Sequence, residues 1–213
     1  MATESKETKA KNKEKGKKSV GREILEWILT IVAAVAIALP IRAFVFQLVR
    51  VEGDSMDDTL ANGEVMFTTK FDYATTWLCF PWQDAETKQN AARITTGGNP
   101  ERFDVVICRY PGRGDTNFVK RVVGLPGDTV ELRNGDLYVN DVKYDEPYVE
   151  EKYRSGWLNN FGPYTVPEGK YFVMGDHRNN SNDSRSVGPI PRDMIMGHVR
   201  TVVFPFNKIR GIE

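Results

Sequence analysis

Histidine and cysteine are scarce in this chain, with two of each in 213 residues. Two cysteines, Cys79 and Cys108, define no disulfide framework. A single bridge in an oxidising compartment and a pair of free thiols both remain open. No cysteine or histidine spacing suits zinc. The usual side-chain base of hydrolytic sites is confined to two positions, His177 and His198. Net charge is missing as well: 29 Lys and Arg balance 29 Asp and Glu, so the total gives no argument for nucleic acid or any other polyanion as partner. There is no internal repeat. Outside one apolar run, no stretch carries the helical period.

That apolar run extends from about Ile24 to Phe46, with an uncharged centre from Trp27 to Ile41. Glu26 and Arg42 stand at its edges, where long side chains reach the interface. A membrane-spanning helix takes about 20 largely apolar residues, which this segment supplies. Pro40 falls near its far end, where it costs little helix. Ahead of it, seven lysines from Lys6 to Lys18 and Arg22 outweigh Glu4, Glu7 and Glu14. This stretch has no apolar periodicity and reads as a solvated, disordered basic tail. The positive-inside rule then puts the tail in the cytosol and everything after Phe46 outside. A cleavable signal peptide is the rival, since Ala36-Ile37-Ala38 resembles a cleavage site. The long tail and the apolar residues beyond Pro40 favour a retained anchor. The expected organisation is a basic cytosolic tail at 1–22, an anchor at 23–46 and an extracytoplasmic domain at 47–213.

The outer portion is expected to be mostly β. Glu64–Thr69, Phe103–Arg109, Phe118–Val123, Tyr171–Met174 and Val199–Phe204 are short runs rich in β-branched and aromatic residues. Val130–Arg133 and Asp136–Val139 flank Asn134-Gly135, a strong hairpin signal because that turn needs positive φ. Residues 71–100 fit least well and read as a variable insertion or surface loop between strands. Trp77 and Trp82 could bring it to a membrane interface or pack it into the core.

Ser55 sits in the turn-prone Gly53-Asp54-Ser55-Met56, just outside the apolar segment. A serine hydroxyl is a weak nucleophile until a base takes its proton. His198, beside Gly197 at a strand start with no acidic partner suggested, reads as structural. His177 remains an alternative base. Lys120 is the better candidate. Lys120 and Arg121 point to opposite faces of a strand, so one of them is expected to face inward. A lysine normally titrates near pH 10.4. Apolar burial penalises its charged form and can leave a neutral amine near pH 7. An exposed lysine on a strand edge is the plainer alternative.

Four boxes occur in order. They are Gly53-Asp54-Ser55-Met56 with Thr59-Leu60, Arg102-Phe103-Asp104-Val105-Val106, Lys120 through Asp128, and Gly175-Asp176-His177-Arg178 through Asn182-Asp183-Ser184-Arg185. Together they resemble the motif boxes of the type I signal peptidases. The resemblance implies a mostly β, signal-peptidase-like Ser/Lys peptidase, with a β-barrel or β-sheet catalytic domain carried on one N-terminal transmembrane helix. It implies a serine endopeptidase that removes signal peptides after small residues at −1 and −3, with the substrate bound as an extended strand at a sheet edge. Ser55 would be the nucleophile and Lys120 the general base, with Ser181 hydrogen-bonded to the lysine. Asp176, Arg178, Asp183 and Arg185 would brace the site by ion pairing, with Arg121 in support. Gly53 stands where Gram-negative members place a serine that assists the oxyanion, which leaves backbone N–H groups, chiefly that of Ser55. This and the single anchor resemble the Gram-positive form. No metal or cofactor is implied. The implied partners are exported preproteins and membrane lipid, with the protein translocation machinery beside them and no nucleic acid. Asp58, His177, Asn179 and Ser186-Val187 depart from the commoner pattern. The rival readings are a pilin-assembly variant of the same family and an inactive, membrane-tethered binding module. The related self-cleaving repressors fit less well, because the chain has an anchor and no DNA-binding region.

The charge asymmetry across the apolar segment sets a topology test. Protease added to intact cells stripped of their wall is expected to digest the portion after Phe46 and spare an epitope placed on the basic tail, read by immunoblot. A tail cut from outside would reverse the orientation.

Overall fold

The computed structural model describes residues 20–57, 59–77, 83–84, 86–87, 90–114, 116–156 and 159–212. Contacts group the chain into two units, Met1–Ile41 and Arg42–Glu213. Helix α1, Val20–Phe44, carries charges only near its ends and is uncharged on every side between Trp27 and Ile41. Its Trp27, Leu29, Ile31 and Leu39 are left exposed. Val20–Arg42 is long and apolar enough to cross a membrane. The helix stops at Phe44, short of the expected Phe46, because Phe46 already pairs with Thr69 as the first residue of a strand. An apolar run alone does not tell the end of a helix from the start of a strand.

The second unit is mostly β. Its strands are β1 (Phe46–Arg50), β2 (Val65–Thr69), β3 (Tyr73–Trp77), β4 (Arg93–Gly97), β5 (Val105–Cys108), β6 (Phe118–Gly124), β7 (Thr129–Arg133), β8 (Asp136–Val139), β9 (Val142–Tyr144), β10 (Phe161–Thr165), β11 (Lys170–Met174), β12 (Ile190–Pro191), β13 (Ile195–Phe204) and β14 (Arg210–Gly211). The main sheet runs β1-β2-β13-β5-β6-β11-β12, with β14 added to β13. Its pairings are antiparallel. A second sheet runs β10-β7-β8-β9, and β3 pairs with β4.

The central strands bury both faces, which explains why Val105-Val106-Ile107-Cys108 shows no alternation. Val105 and Ile107 pack with Met56, Leu60, Met66 and Val199. Val106 and Cys108 pack on the other face with Tyr110, Val122, Val173 and Ile195. The expected hairpin forms, with Asn134 at φ 53° and Gly135 at φ 88°, both in the left-handed region its turn requires. Its Val130, Leu132, Leu137 and Val139 cover Val123, Phe172 and Met174 in a third cluster.

Residues 71–100 are not simply a surface loop. Tyr73–Trp77 and Arg93–Gly97 form a regular antiparallel ladder, and Tyr73, Ala74 and Thr75 are buried. Threonines hid this pairing: they look polar in sequence, yet their β-branched side chains suit strands, and Thr75 Oγ1 meets Thr95 Oγ1 across the ladder at 3.2 Å. Cys79 and Trp82 lie outside the described residues. Cys108 is a free, buried thiol, which burial pushes up to about 12.

Gly124 closes β6 where the main sheet meets the hairpin. A Cβ there would stand 2.5 Å from Val130 Cγ2 and 3.0 Å from Phe172 Cβ. Gly124→Ala is expected to destabilise the domain by about 1–3 kcal/mol through overpacking, measured by urea unfolding of the detergent-solubilised protein.

Candidate active site

The serine turn begins where β1 leaves the sheet. Val51 still pairs with β2's lead-in, its N–H donating to the Glu64 carbonyl at 2.8 Å. Gly53, at φ 93°, then turns the chain with no Cβ to strain the left-handed geometry. The Asp57 N–H donates to the Asp54 carbonyl at 3.1 Å, and the Leu60 N–H to Met56 O at 2.7 Å. Met56 and Leu60 are buried in the core and anchor the turn. Ser55 remains half-buried at its apex.

Lys120 comes from β6, paired with Val106 of β5. Its Nζ lies 2.6 Å from Ser55 Oγ and donates to the Val119 carbonyl at 2.9 Å. The lysine is 2% exposed, so the exposed-edge alternative falls. Burial drives its pKa down. The nearby Cys108, Asp183 and Asp176 oppose that, and Arg185 adds to it. Strand alternation puts Phe118 and Val122 on the lysine's face and Val119 on the other, so what Val119 contributes is its carbonyl. Only one of Lys120 and Arg121 was expected to face inward, but both do, at 2% and 1% exposure. A sheet covered on both faces has no outward side for either.

The arginines and carboxylates around the site are paired with one another. Arg121 donates to Asp176 through Nε at 3.1 Å and an NH2 nitrogen at 2.9 Å, and to the Phe103 carbonyl at 2.9 Å. Its guanidinium lies over the Tyr148 ring at 3.7 Å. Asp176 also accepts from Thr59 Oγ1 at 2.6 Å. Arg185 donates to Asp183 through Nε at 2.9 Å and NH2 at 2.8 Å, and to the Arg178 carbonyl at 2.7 Å. Although burial opposes it, hydrogen bonds from Arg185 and the Gly175 N–H hold the Asp183 carboxyl below its ordinary range. Arg178 forks onto buried Glu146 rather than onto either aspartate, with one bond at 2.8 Å and a second, shorter one.

Among the described residues Ser181 Oγ is buried and meets no partner at full hydrogen-bonding geometry, the Lys120 amine included, although it stands near enough to the Asp183 carboxyl to help hold its pKa down. It lies over Gly175, where a Cβ would come within 2.3 Å of it and 2.4 Å of the Ser55 carbonyl. Gly175 is thus what lets the Gly175–Arg185 box close on the serine turn. His177 donates its backbone N–H to the Ser55 carbonyl at 3.2 Å, and its Nδ1 lies 3.0 Å from the Asp54 carbonyl. His198 has two acidic neighbours after all, Asp72 and Asp104, each at 3.6 Å, and it stacks on Tyr73. They come from strand ends far away in sequence, which local reading does not reach. Burial lowers the His198 pKa against the pull of both carboxylates.

Beside the serine and lysine lies a groove of about 420 Å³, walled by Val49, Gly53 and Met56 on one side and Phe118 and Val119 on the other. Its first wall continues edge strand β1.

A family model described as signal peptidase, peptidase S26, matches residues 24–204. The chain belongs to the signal peptidase family, peptidase S26. It is a hydrolase of the type I signal peptidase class, and the membership supports cleavage of signal peptides. A signal peptidase I of Bacillus licheniformis is 38% identical, over 99% of this chain and 100% of that one. Signal peptidase IB of Staphylococcus aureus (strain COL) is 34% identical, over 89% and 94% respectively. A crystal structure of a signal peptidase I from Enterococcus faecalis V583 is 37% identical, covering 47% of this chain and 97% of that one with a TM-score of 0.41.

Sequence reading missed Glu146, Tyr148 and the role of Thr59. Asp145-Glu146-Pro147-Tyr148 has no periodicity to mark it. The available signal was the Gly175–Arg185 box itself: with Arg121 it brings three arginines against Asp176 and Asp183, and a buried arginine left over demands a carboxylate from elsewhere. Glu146→Gln is expected to leave the Arg178 charge buried with a weaker partner. It should cost this signal peptidase about 3–5 kcal/mol, measured by chemical unfolding, whereas Glu131→Gln on the exposed hairpin should cost little.

Proposed function

We propose that this enzyme is anchored by residues 23–46 with its tail, 1–22, in the cytosol. Its outer domain, 47–213, cuts signal peptides from exported preproteins with Ser55 as nucleophile and Lys120 as general base. The observation that carries the reading is the 2.6 Å approach of a buried lysine amine to the serine hydroxyl. No imidazole among the described residues hydrogen-bonds to that hydroxyl. Burial lowers the lysine pKa, so a neutral amine is accessible to accept a proton. The Val119 carbonyl takes one amine hydrogen, which leaves the lone pair of a neutral amine free to face Ser55.

The steps follow from that geometry. The preprotein lies extended in the groove against β1, offering backbone groups to a free sheet edge. The shallow apolar walls admit small residues at −1 and −3. As Ser55 Oγ attacks the scissile carbonyl, its proton passes to Lys120 Nζ. The oxyanion is held by backbone N–H groups, chiefly that of Ser55, which donates to no backbone carbonyl among the described residues. Collapse breaks the C–N bond, and Lys120 gives its proton to the leaving amine of the mature chain. A water deprotonated by the same amine then hydrolyses the acyl-enzyme. Gly53, Asp176, Arg178, Asp183, Arg185 and Arg121 support the site by holding its backbone, and Ser181 packs beside it. Membrane lipid holds enzyme and preprotein in one plane, and the translocation machinery delivers the substrate.

Cleavage of a purified preprotein, with the product N-terminus mapped, tests the reading. Ser55→Ala and Lys120→Ala are each expected to lower the rate by more than about 10³-fold with folding retained. Lys120→Arg should do the same, since guanidinium stays protonated. The rate should rise with pH through the lowered lysine pKa, because the neutral form is the competent one and is populated above it. Near-normal cleavage by Lys120→Arg would move the base elsewhere.

A further inference from the structure

The departure of His177 from the commoner family pattern coincides with a set of contacts that no catalytic step uses. The Asp54 carbonyl can only accept, so the 3.0 Å contact requires a proton on Nδ1 of His177. The His177 backbone N–H holds the next carbonyl, that of Ser55, at 3.2 Å. On its other side the imidazole lies against the Tyr153 ring, with centroids 3.8 Å apart and planes inclined by 32°. Tyr153 is 8% exposed and belongs to a 3₁₀ turn, Glu151–Tyr153. Its hydroxyl reaches Asp57 Oδ2 at 3.3 Å. Asn179 Nδ2 secures the same turn by donating to the Lys152 carbonyl at 3.2 Å. The serine turn is therefore gripped on both sides of Ser55: at Asp54 by the imidazole, and at Asp57 by the phenol that lies tilted against it.

We infer that His177 and Tyr153 form a coupled pair of positioning residues that fixes the 54–57 turn, and with it the direction of Ser55 Oγ toward Lys120. This rests on the reading of Ser55 as nucleophile. The turn needs such a grip. Gly53 at its entry is conformationally permissive, and a misplacement of about 1 Å at a reacting atom costs on the order of 10²-fold in rate. An asparagine at 177 could still present a side-chain N–H to the Asp54 carbonyl, but it offers Tyr153 no ring. Histidine supplies both contacts, so the phenol and the imidazole act as one unit.

Preprotein cleavage by the full-length enzyme in detergent micelles separates kcat from KM, with melting temperature checked for every variant. His177→Ala is expected to lower kcat by about 10- to 100-fold with little change in KM. His177→Asn should recover most of that loss. Tyr153→Phe, which keeps the ring and removes only the bond to Asp57, should lower kcat a few-fold and remain folded. In the double variant His177→Ala/Tyr153→Phe the loss should match that of His177→Ala alone, the non-additivity of residues acting as a unit. The pairing is overturned if His177→Asn loses as much as His177→Ala, if the two losses multiply, or if Tyr153→Phe is as active as the unsubstituted enzyme. Ser55→Ala run alongside separates the two readings. Its inactivity with unaffected His177 variants removes the pair alone, whereas its activity removes the nucleophile assignment and the pair with it.

Discussion

The site depends on keeping a lysine amine buried beside a serine without giving it a carboxylate partner. Lys120 is 2% exposed, with Ser55 at 2.6 Å and the Val119 carbonyl at 2.9 Å. A buried ammonium ion normally recruits an acid or loses its proton. Two aspartates, Asp176 and Asp183, lie near enough to raise its pKa. What prevents either from capturing the amine is that each is already occupied, Asp176 by Arg121 and Asp183 by Arg185. Arg121 and Arg185 thus do more than brace loops: they neutralise the acids around a base whose usefulness, under the proposed mechanism, lies in staying neutral.

Those ion pairs are costly to bury and need a rigid frame. The main sheet provides it. Adjacent positions of β6 send Lys120 to one face and Arg121 to the other, with both faces covered by core. Arg121 then holds Asp176, which accepts from Thr59 at the far end of the serine turn. The strand that carries the lysine is in this way tied to the turn that carries the serine, through the side chains of Arg121, Asp176 and Thr59. Gly175 allows the closure, since any side chain there would strike the Ser55 carbonyl and Ser181.

Much of this was legible in the chain itself. Turn chemistry at Asn134-Gly135, the apolar run before Phe44 and the β-branched runs around Val105, Val122 and Val173 announced their elements, because backbone sterics and burial act within a few residues. The β3–β4 ladder was not legible, since threonine strands look like loop until a partner strand is found. The helix end at Phe44 was blurred for the opposite reason, an apolar run that continues into a strand.

Sequence by itself singled out the residues proposed to carry the chemistry, because Ser55, Lys120 and the Gly175–Arg185 box are local strings whose composition already suits a turn, a strand and a polar loop. It also determined the apolar segment, since length and hydropathy are properties of one stretch. Only the tertiary structure decided who pairs with whom. Glu146 answers Arg178, Tyr153 packs against His177, and Asp72 and Asp104 flank His198. Each partner lies many residues away, and which acid meets which base is set by strand order and register, which no local pattern encodes.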